Sequence, residues 1–347
     1  MEILNFIIPF FILLTVVVFV HEYGHYYFAK KYGVGITDFS IGFGKELFGF
    51  NDKSGTRWKF CAIPLGGYVK FFGDRNVFSQ AEQEELLKQY NKEDQQKLFV
   101  TKPLYQRSLI VFAGPLANFL LSILIFVFIY MSVGKDFTPA QINEVQKDSP
   151  AYSAGIKSGD VIISINEKKV SSILEVSTFI NTSSSESINI KILRNNDEVD
   201  FKVTPNVVKS EDSLGNKINK KIIGIKIIPL NNELKKERLG PATALFYAVK
   251  ETWFVIQASL DFVISLFKGK GDTDQLGGPI KIAKITGQVA QHGFIAFLSI
   301  TAYISISLGF INLFPIPMLD GGHLMFYAFE KILGRPLTQK TQEGFFR

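Results

Sequence analysis

The stretch His21-Glu22-Tyr23-Gly24-His25 closes an uncharged run that extends from Ile3 to Val20. At about 1.5 Å per residue, a helix from Ile3 to about Tyr27 is long enough to cross a hydrocarbon core of about 30 Å. Ionisable side chains at membrane depth cost roughly 2.5–3.5 kcal/mol each on an insertion scale, so by default they mark a functional site. The start of the chain therefore predicts a membrane helix, residues 1–30, that carries functional residues.

The spacing of this motif indicates the chemistry. His21 and His25 stand at i and i+4, so both imidazoles lie on one helix face and can bind one zinc ion. A hydrolytic zinc site needs about three protein ligands and an open position for water. Glu22 is the candidate general base, which would take a proton from the attacking water and pass it to the leaving amine. The motif predicts a metalloprotease with Zn²⁺ as its cofactor.

The third zinc ligand must come from elsewhere in the chain. Asp320 is the strongest candidate, because it closes a second apolar run, from Gly293 to Leu319, and precedes two glycines that allow a sharp bend. His323 is a rival, either as a ligand, as the partner of a ligand or as a structural residue. His292 precedes the same run and is expected to lie at the membrane interface.

Further apolar segments predict the rest of the membrane part. Residues 108–134 form a second span, and residues 293–330 form a third whose end is disrupted by Pro315 and Pro317. Residues 231–292 are predicted to be an interfacial helical segment with a glycine-rich loop, because Lys250, Glu251 and Asp261 recur on a helical period; a true span is the less favoured alternative.

Three residues inside the second span have two interpretations of equal weight. They pack the helix through small and polar groups, or they lie beside the active site. The residues are Gly114, Pro115 and Asn118.

Residues 31–107 form a loop of different composition. Glycines recur among aromatic and β-branched residues over positions 34–74, and the turn Asn51–Gly55 separates the strand-like runs Ile36–Phe43 and Arg57–Ile63. This pattern predicts a membrane-associated β-hairpin or sheet. The polar residues 79–99 predict a surface helix. The positive-inside rule places the loop in the cytoplasm, because four basic residues flank it: Lys30, Lys31, Lys102 and Arg107.

Residues 135–230 have the composition of a soluble α+β domain, which then lies on the outer face. A helix is predicted near Ile173–Ile180, a hairpin turn at Asn195-Asn196-Asp197 and a flexible loop at Val207–Lys221. Strands are predicted at Val161–Ile165, Ile188–Leu193, Val199–Val203 and Ile222–Ile228.

The composition argues against some classes of function. The 38 basic residues, against 32 acidic ones, are spread through the polar loops without a nucleic-acid motif, so no nucleic-acid partner is expected. We expect them to favour contact with anionic headgroups of the lipid bilayer. Cys61 is the single cysteine, so no internal disulfide framework is possible.

Four blocks of sequence resemble the site-2 protease family (M50) of intramembrane zinc metalloproteases, especially its bacterial regulator of sigma-E protease type. They occur in family order: HEYGH at 21–25, PLGGYVK at 64–70, AGPLAN at 113–118 and NLFPIPMLDGGH at 312–323. The resemblance implies zinc held by His21, His25 and Asp320, with Glu22 as general base. It also implies six substrate-binding residues: Asn312, Pro315 and Pro317, which line the site, and Gly66, Gly67 and Tyr68 in β-structure that aligns an extended substrate.

The resemblance further implies regulated intramembrane proteolysis of single-pass transmembrane proteins in the bacterial cytoplasmic (inner) membrane, such as anti-sigma factors or remnant signal peptides. Residues 149–162 resemble the family's PDZ signature. A periplasmic PDZ domain would act as a size filter, or it would bind peptide or protein termini. The expected fold is a multi-pass α-helical membrane protein with a membrane-associated β-hairpin or sheet and an inserted α+β PDZ domain.

Two departures from the family pattern are expected. There is room for one PDZ domain where better-known members carry two. The polar tail, residues 331–347, replaces a final transmembrane helix, through truncation or by nature. Two other classes of function stay open. A PDZ-containing membrane adaptor with a structural zinc site would need four protein ligands, so coordination by His323 would favour it. A transporter is disfavoured, because no inverted repeat is found.

Overall fold

The computed structural model describes residues 2–73, 89–183, 185–211, 217–269 and 277–335. The side chains of residues 2–5, 211, 217 and 218 are not described. In chain order the elements are α1 (Glu2–Lys31), β1 (Ile36–Asn51), β2 (Arg57–Phe71), α2 (Lys92–Gln95), α3 (Leu104–Ser132), β3 (Lys135–Asp136), β4 (Ala140–Val145), α4 (Pro150–Ala154), β5 (Val161–Ile165), β6 (Lys168–Lys169), α5 (Ile173–Thr182), β7 (Ile188–Arg194), β8 (Asp197–Val203), β9 (Asn206–Glu211), β10 (Lys217–Ile222), β11 (Ile225–Pro229), β12 (Lys236–Glu237), α6 (Pro241–Phe267), α7 (Pro279–Ala290), α8 (Phe294–Asn312) and α9 (Asp320–Leu333).

The chain forms two compact units. The first contains the described residues up to Ile123 and those from Thr286 onward, and the second is Leu124–Ile285. Among the described residues, three helices are long and apolar enough to cross a membrane: α1 from Phe6, α3 and α8. These helices coincide with the three predicted spans.

The segment predicted over residues 293–330 contains two helices, which are separated where Pro315 and Pro317 were expected to disrupt it. Helix α8 ends at Asn312, and α9 begins at Asp320. The connection between them contains Pro315 and Pro317, which lack the N–H group that a continuing helix needs. This break places Asp320 in the first turn of a separate helix.

Small residues let the helices of the first unit approach closely. A Cβ atom at Gly24 in α1 would clash with the carbonyl oxygen of Ala113 in α3, and one at Gly309 in α8 would lie 3.1 Å from the Pro115 carbonyl oxygen. The Ser122 hydroxyl of α3 donates to the Ala302 carbonyl of α8 at 3.0 Å. Close approach and hydrogen bonds between helices are the means by which membrane helices associate.

Strands β1 and β2 are longer than predicted and form a curled sheet. Residues 38–41 of β1 pair on one side with residues 57–60 of β2 and on the other with residues 67–70. The curl is possible because Gly42 has φ +88, and a Cβ there would lie 2.6 Å from the Ile63 carbonyl oxygen. Four segments therefore lie side by side, and residues 67–71 form one edge of the sheet.

The surface helix predicted over residues 79–99 lies mostly outside the described residues. In its described part, the prediction of a continuous helix is wrong. The helix is interrupted before α2, where the Asn91 side chain accepts a hydrogen bond from the Asp94 N–H at 2.8 Å. Asparagine is a strong N-cap, so it begins a new helix at this point.

The second unit contains a six-stranded sheet with the order β11-β4-β5-β7-β8, and β6 pairs with β5. The predicted strands at β5, β7 and β8 and the predicted helix at α5 are confirmed, with ends shifted by at most two residues. Asn195 and Asn196 have φ values of 51° and 72°, which suit the tight hairpin turn predicted there.

One prediction in this unit is wrong and another is shifted. The described parts of the stretch 207–221 are strands rather than a loop, because β9 pairs with β10 from Asn206↔Ile222 to Glu211↔Lys217. Backbone hydrogen bonds stabilise this hairpin, although its composition is polar. The final strand of the sheet, β11, begins at Ile225 rather than Ile222.

Helix α6 carries the charges that led us to predict an interfacial segment. Glu251 pairs with Lys135 at 3.1 Å, and Asp261 pairs with Lys168 at 2.8 Å, so both acidic groups are used inside the second unit. Several large apolar side chains of α6 are exposed: Leu245, Phe246, Val249, Trp253 and Phe267. The interfacial location stays a prediction. Part of the predicted glycine-rich loop, residues 270–276, and most of the tail, residues 336–347, lie outside the described residues.

Candidate zinc centre

Three potential metal-binding side chains converge in the first unit. Helix α1 carries His21 and His25 one turn apart, and the first turn of α9 carries Asp320. His21 Nε2 lies 3.2 Å from His25 Nε2 and 3.2 Å from Asp320 Oδ2. His25 Nε2 lies 3.5 Å from Asp320 Oδ1. All three ligand atoms lie within 4.8 Å of one another.

These separations fit one zinc ion. Zinc bonds of about 2.0–2.1 Å in a tetrahedron hold the ligand atoms roughly 3.3–3.4 Å apart. The measured distances of 3.2–3.5 Å agree with that value. Asp320 Oδ2 is buried and accepts no hydrogen bond from the described residues, although His21 Nε2 lies 3.2 Å away and a buried carboxylate needs compensation. The donor set therefore suits a cation, and zinc in particular.

A hydrogen bond from the other side of the imidazole ring sets the protonation of His25. Its Nδ1 lies 2.9 Å from the carbonyl oxygen of Ile110 in α3. A carbonyl oxygen only accepts, so the proton of a neutral ring sits on Nδ1. Nε2 then keeps its lone pair and directs it at the point shared with His21 and Asp320, as metal-binding histidines require.

Gly114 and Asn118 of α3 both lie beside this centre. A Cβ atom at Gly114 would clash with the His25 ring and would lie 2.9 Å from His21 Cε1. Asn118 is fully buried, and its Nδ2 lies 3.2 Å from His21 Nδ1. Of the two interpretations of these residues, the structure thus supports a location at the site, in addition to helix packing.

Glu22 faces the edge of the curled sheet. A Cβ atom at Gly67 would lie 3.2 Å from Glu22 Cγ, so the glycine allows the edge segment to approach the carboxylate. The Val69 backbone, in the same edge segment, is also near the Glu22 carboxylate. The candidate general base therefore lies against the main chain of residues 67–71.

The other predicted substrate-binding residues lie in two places. Tyr68 stacks on Phe43, with ring centroids 6.1 Å apart, and Gly66 has φ +117 beside the same ring. Asn312 is the last residue of α8, and Pro315 and Pro317 lie in the connection that leads to Asp320. A role of these residues in substrate binding stays a prediction.

The connection itself is packed on the helix that comes after it. A Cβ at Gly321 would clash with the carbonyl oxygens of Leu313 and Phe314, and one at Gly322 would lie 3.2 Å from Pro317 Cα. Met318 has φ 76, a left-handed conformation that costs free energy for a side chain of this size. These close contacts fix the position of the backbone that leads into Asp320.

The rival ligands are not part of the convergent group. Within the described part of the chain, that group consists of His21, His25 and Asp320, and His323 is not a member. The His292 ring is exposed, and its Nδ1 lies 2.9 Å from the Gln288 carbonyl oxygen. The choice of Asp320 over both histidines thus agrees with the geometry.

Sequence reasoning missed an ion pair that holds α9. Arg107 near the start of α3 binds Glu330 of α9 through two nitrogens, at 2.5 Å and 3.3 Å. Its guanidinium also lies 5.1 Å from the centre of the Tyr327 ring. The signal was Glu330 at the end of the apolar run 324–329, whereas Arg107 was used only to infer orientation.

With this geometry established, comparison with known proteins identifies the family. The model of peptidase family M50 matches residues 9–347. The chain belongs to peptidase family M50. A relative from Mesorhizobium japonicum, named a zinc metalloprotease, is 43% identical over 99% of this chain and 94% of its own length. One from Rhizobium meliloti, named likewise, is 40% identical over 99% of this chain and 92% of its own.

A third M50 relative, named metalloprotease MmpA, comes from Caulobacter vibrioides and is 35% identical over 96% of this chain and 88% of its own length. The chain is accordingly a zinc metalloprotease, and with its three apolar helices it is a membrane protein. A solved PDZ domain of an SdrC-like protein from Listeria monocytogenes aligns with 26% of this chain and 90% of its own, at 18% identity and a TM-score of 0.22.

Proposed function

We propose that this M50 protein is an intramembrane endopeptidase that cleaves single-pass transmembrane proteins, with zinc held by His21, His25 and Asp320. One observation carries the proposal: His21, His25 and Asp320 each offer one ligand atom, and these atoms all lie within 4.8 Å of one another. Both histidines belong to a helix that is long and apolar enough to cross a membrane. A set of three protein ligands leaves the fourth position open for water or substrate, as hydrolytic zinc sites require. The same count argues against the adaptor, whose structural zinc would need a fourth ligand.

Glu22 is the proposed general base. Bound zinc supplies a Lewis acid that polarises the scissile carbonyl and acidifies a water molecule. Glu22 removes the proton from the attacking water and delivers it to the leaving amine. The close approach of Gly67 to Glu22 places the carboxylate next to the sheet edge on which the substrate is proposed to lie.

The substrate is proposed to add as a strand to the edge formed by residues 67–71. A transmembrane helix must unwind locally before it is cut, and its freed backbone groups then need partners within the membrane. An unpaired sheet edge supplies such partners by β-augmentation. This edge lies against Glu22 at Gly67, so an added strand would pass next to the general base. Asn312, Pro315 and Pro317 are proposed to line the site from the connection before Asp320.

The sheet of the second unit is proposed to be a PDZ domain on the periplasmic face of the bacterial inner membrane. Its role would be to filter substrates by size or to bind peptide or protein termini. In support, β11 pairs with β4 among the described strands, which leaves its other edge for a peptide. Anti-sigma factors and remnant signal peptides are the proposed substrates, by resemblance to the site-2 protease family.

The test is cleavage of a tagged single-pass substrate by the full chain purified in detergent. We expect the parent to cleave, chelator to stop cleavage, and zinc to restore it. Glu22→Gln should keep zinc but lose cleavage, whereas Glu144→Gln, an exposed change in β4, should act like the parent. Equal cleavage by Glu22→Gln and the parent would reject this mechanism.

A further inference from the structure

Asn118 has a buried amide with an unsatisfied atom. The residue is fully buried in the middle of α3, and its Nδ2 lies 3.2 Å from His21 Nδ1. Its Oδ1 is also buried and accepts no hydrogen bond from the described residues. An unpaired buried amide oxygen costs about 1–3 kcal/mol, so this arrangement calls for an explanation.

The protonation of His21 supplies one. If His21 binds zinc through Nε2, a neutral ring must carry its proton on Nδ1, and that N–H needs an acceptor. When its Nδ2 faces the ring, Asn118 offers a hydrogen-bond donor to His21 Nδ1. Nδ1 must then accept, so this orientation suits only the tautomer that carries its proton on Nε2. A half-turn of the amide exchanges its nitrogen and oxygen with almost no change in shape. Oδ1 then accepts the Nδ1–H, and both atoms are satisfied.

We infer that Asn118 is a positioning residue, whose amide oxygen accepts the Nδ1–H of His21 and thereby holds His21 as an Nε2 ligand. This inference rests on the proposed zinc site. His25 already has the corresponding arrangement, since its Nδ1 donates to the Ile110 carbonyl at 2.9 Å. Both acceptors belong to α3, so this helix sets the tautomer of each histidine: one through a main-chain carbonyl, the other through a side-chain amide.

The backbone around Asn118 holds the amide in place. The hydroxyl of Ser305 in α8 and that of Ser122 in α3 both donate to the Asn118 carbonyl oxygen at 2.9 Å. Gly309 of α8 lies so close that a Cβ there would be 3.3 Å from Asn118 Cβ. The side chain is therefore fixed between α1 and α8, and the rotation of its amide is the freedom that decides which atom meets His21.

The experiment compares zinc affinity and metal-free stability in the full chain in detergent. Asn118→Leu keeps the volume but removes the acceptor, and Asn118→Asp keeps an acceptor. Ser108→Ala is the matched control, because it removes a hydroxyl of the same helix that donates to the Leu104 carbonyl and does not touch Asn118. Zinc dissociation constants come from competition with a chelator, and melting temperatures are measured after zinc removal.

We expect Asn118→Leu to weaken zinc binding about 10–100-fold, the range found when a metal ligand loses its hydrogen-bond partner. Asn118→Asp should bind at least tenfold more tightly than the Leu variant, and Ser108→Ala should match the parent. The metal-free Leu variant should still unfold in one cooperative transition, which would show that its loss of zinc affinity is not a loss of fold. If it does not fold, Asn118→Ala replaces it, with the same expected loss of affinity.

Two outcomes would overturn the inference. One is parent-like zinc affinity in the Leu or Ala variant. The other is an Asp variant that binds zinc no better than Leu, because a purely structural asparagine would tolerate a buried carboxylate worst. His21→Ala and His25→Ala separate this result from the proposed function. If they keep the parent's zinc affinity, the ligand set itself is wrong; if they lose it while Asn118→Leu does not, only the role of Asn118 is rejected.

Discussion

Tyr26 of α1 donates a 2.7 Å hydrogen bond to Asp52 in the turn between β1 and β2. The same carboxylate accepts hydrogen bonds from the backbone N–H groups of Ser54 and Thr56, at 2.8 Å and 2.9 Å. Burial opposes ionisation of Asp52, but hydrogen bonds from Ser54 and Tyr26 outweigh burial and hold the pKa of the carboxyl below its usual range. The turn is thus tied to the helix that carries both site histidines.

This contact predicts a dependence of hairpin stability on pH. Because the pKa of Asp52 is lower in the folded state, its contribution is complete above the ordinary value of about 3.9 and is lost as the pH falls towards the folded pKa. We expect Asp52→Asn to destabilise the hairpin by about 1–2 kcal/mol at pH 7 and to remove this dependence. Hydrogen exchange of residues 57–71 between pH 3 and pH 7 measures both effects.

The control for the Asp52 prediction is Lys53→Gln, an exposed change in the same turn. It should leave the exchange of residues 57–71 like that of the parent at each pH. If Asp52→Asn and the parent lose protection over the same pH range, Asp52 is not the group responsible.

Gly114→Ala should remove zinc without unfolding the protein. The added methyl group would clash with the His25 ring and press on His21, so the two imidazoles can no longer meet Asp320. Alanine is a better helix former than glycine by about 1 kcal/mol, so metal-free α3 should not be weakened. Metal analysis of the purified variant should find less than about a tenth of the parent's zinc, if a lost ligand geometry costs more than tenfold in affinity.

The matched control for Gly114 is Gly240→Ala, because nothing lies within 4 Å of its added Cβ. That variant should keep the parent's zinc content and cleavage rate. Zinc retained in Gly114→Ala would mean that the rings have room to move, and that the close fit around Gly114 is not required.

Gly67→Ala should slow cleavage while zinc stays bound. The new Cβ would lie 2.7 Å from the Ser40 carbonyl oxygen and 3.2 Å from Glu22 Cγ, so the edge strand must shift away from the general base. A displacement of about 1 Å at a reacting group costs up to about a hundredfold in rate, and we expect at least tenfold in kcat/KM. Gly240→Ala, whose added Cβ has nothing within 4 Å, is again the control and should cleave like the parent. Loss of zinc in Gly67→Ala would instead indicate damage to the ligands.

The zinc ligands were predictable from the sequence because their positions obey local rules. His21 and His25 share a helix face because residues four apart lie on the same side of an α-helix. Asp320 was chosen with the help of the family resemblance and its position beyond an apolar run. Pro315 and Pro317 predicted an irregular end to the third span. They did not reveal that a separate helix starts at Asp320, because a proline ends a helix without specifying the structure of the residues after it.

Other contacts had no local signal. The acceptor for His25 is the main-chain carbonyl of Ile110, which any residue type would supply. The pairing of residues 38–41 with two parts of β2 depends on bulges and on packing against α1, and the sequence pattern gives only the turn between the strands. The β9–β10 hairpin was missed because its strands are polar, although backbone pairing does not require apolar side chains.

The Arg107–Glu330 pair should stabilise the helix that carries Asp320. Arg107 is buried and Glu330 is mostly buried, with exposed fractions of 7% and 13%, and they join α3 to α9. Removing one partner leaves a buried charge unpaired, so Glu330→Leu and Arg107→Met should each lower the free energy of unfolding by about 3–5 kcal/mol. The double variant removes both charges and should recover most of that loss. A double-mutant cycle by thermal unfolding, with zinc content measured in parallel, tests this coupling. Additive losses would show that the two residues act independently, and then Arg107 would not be what holds α9 against α3.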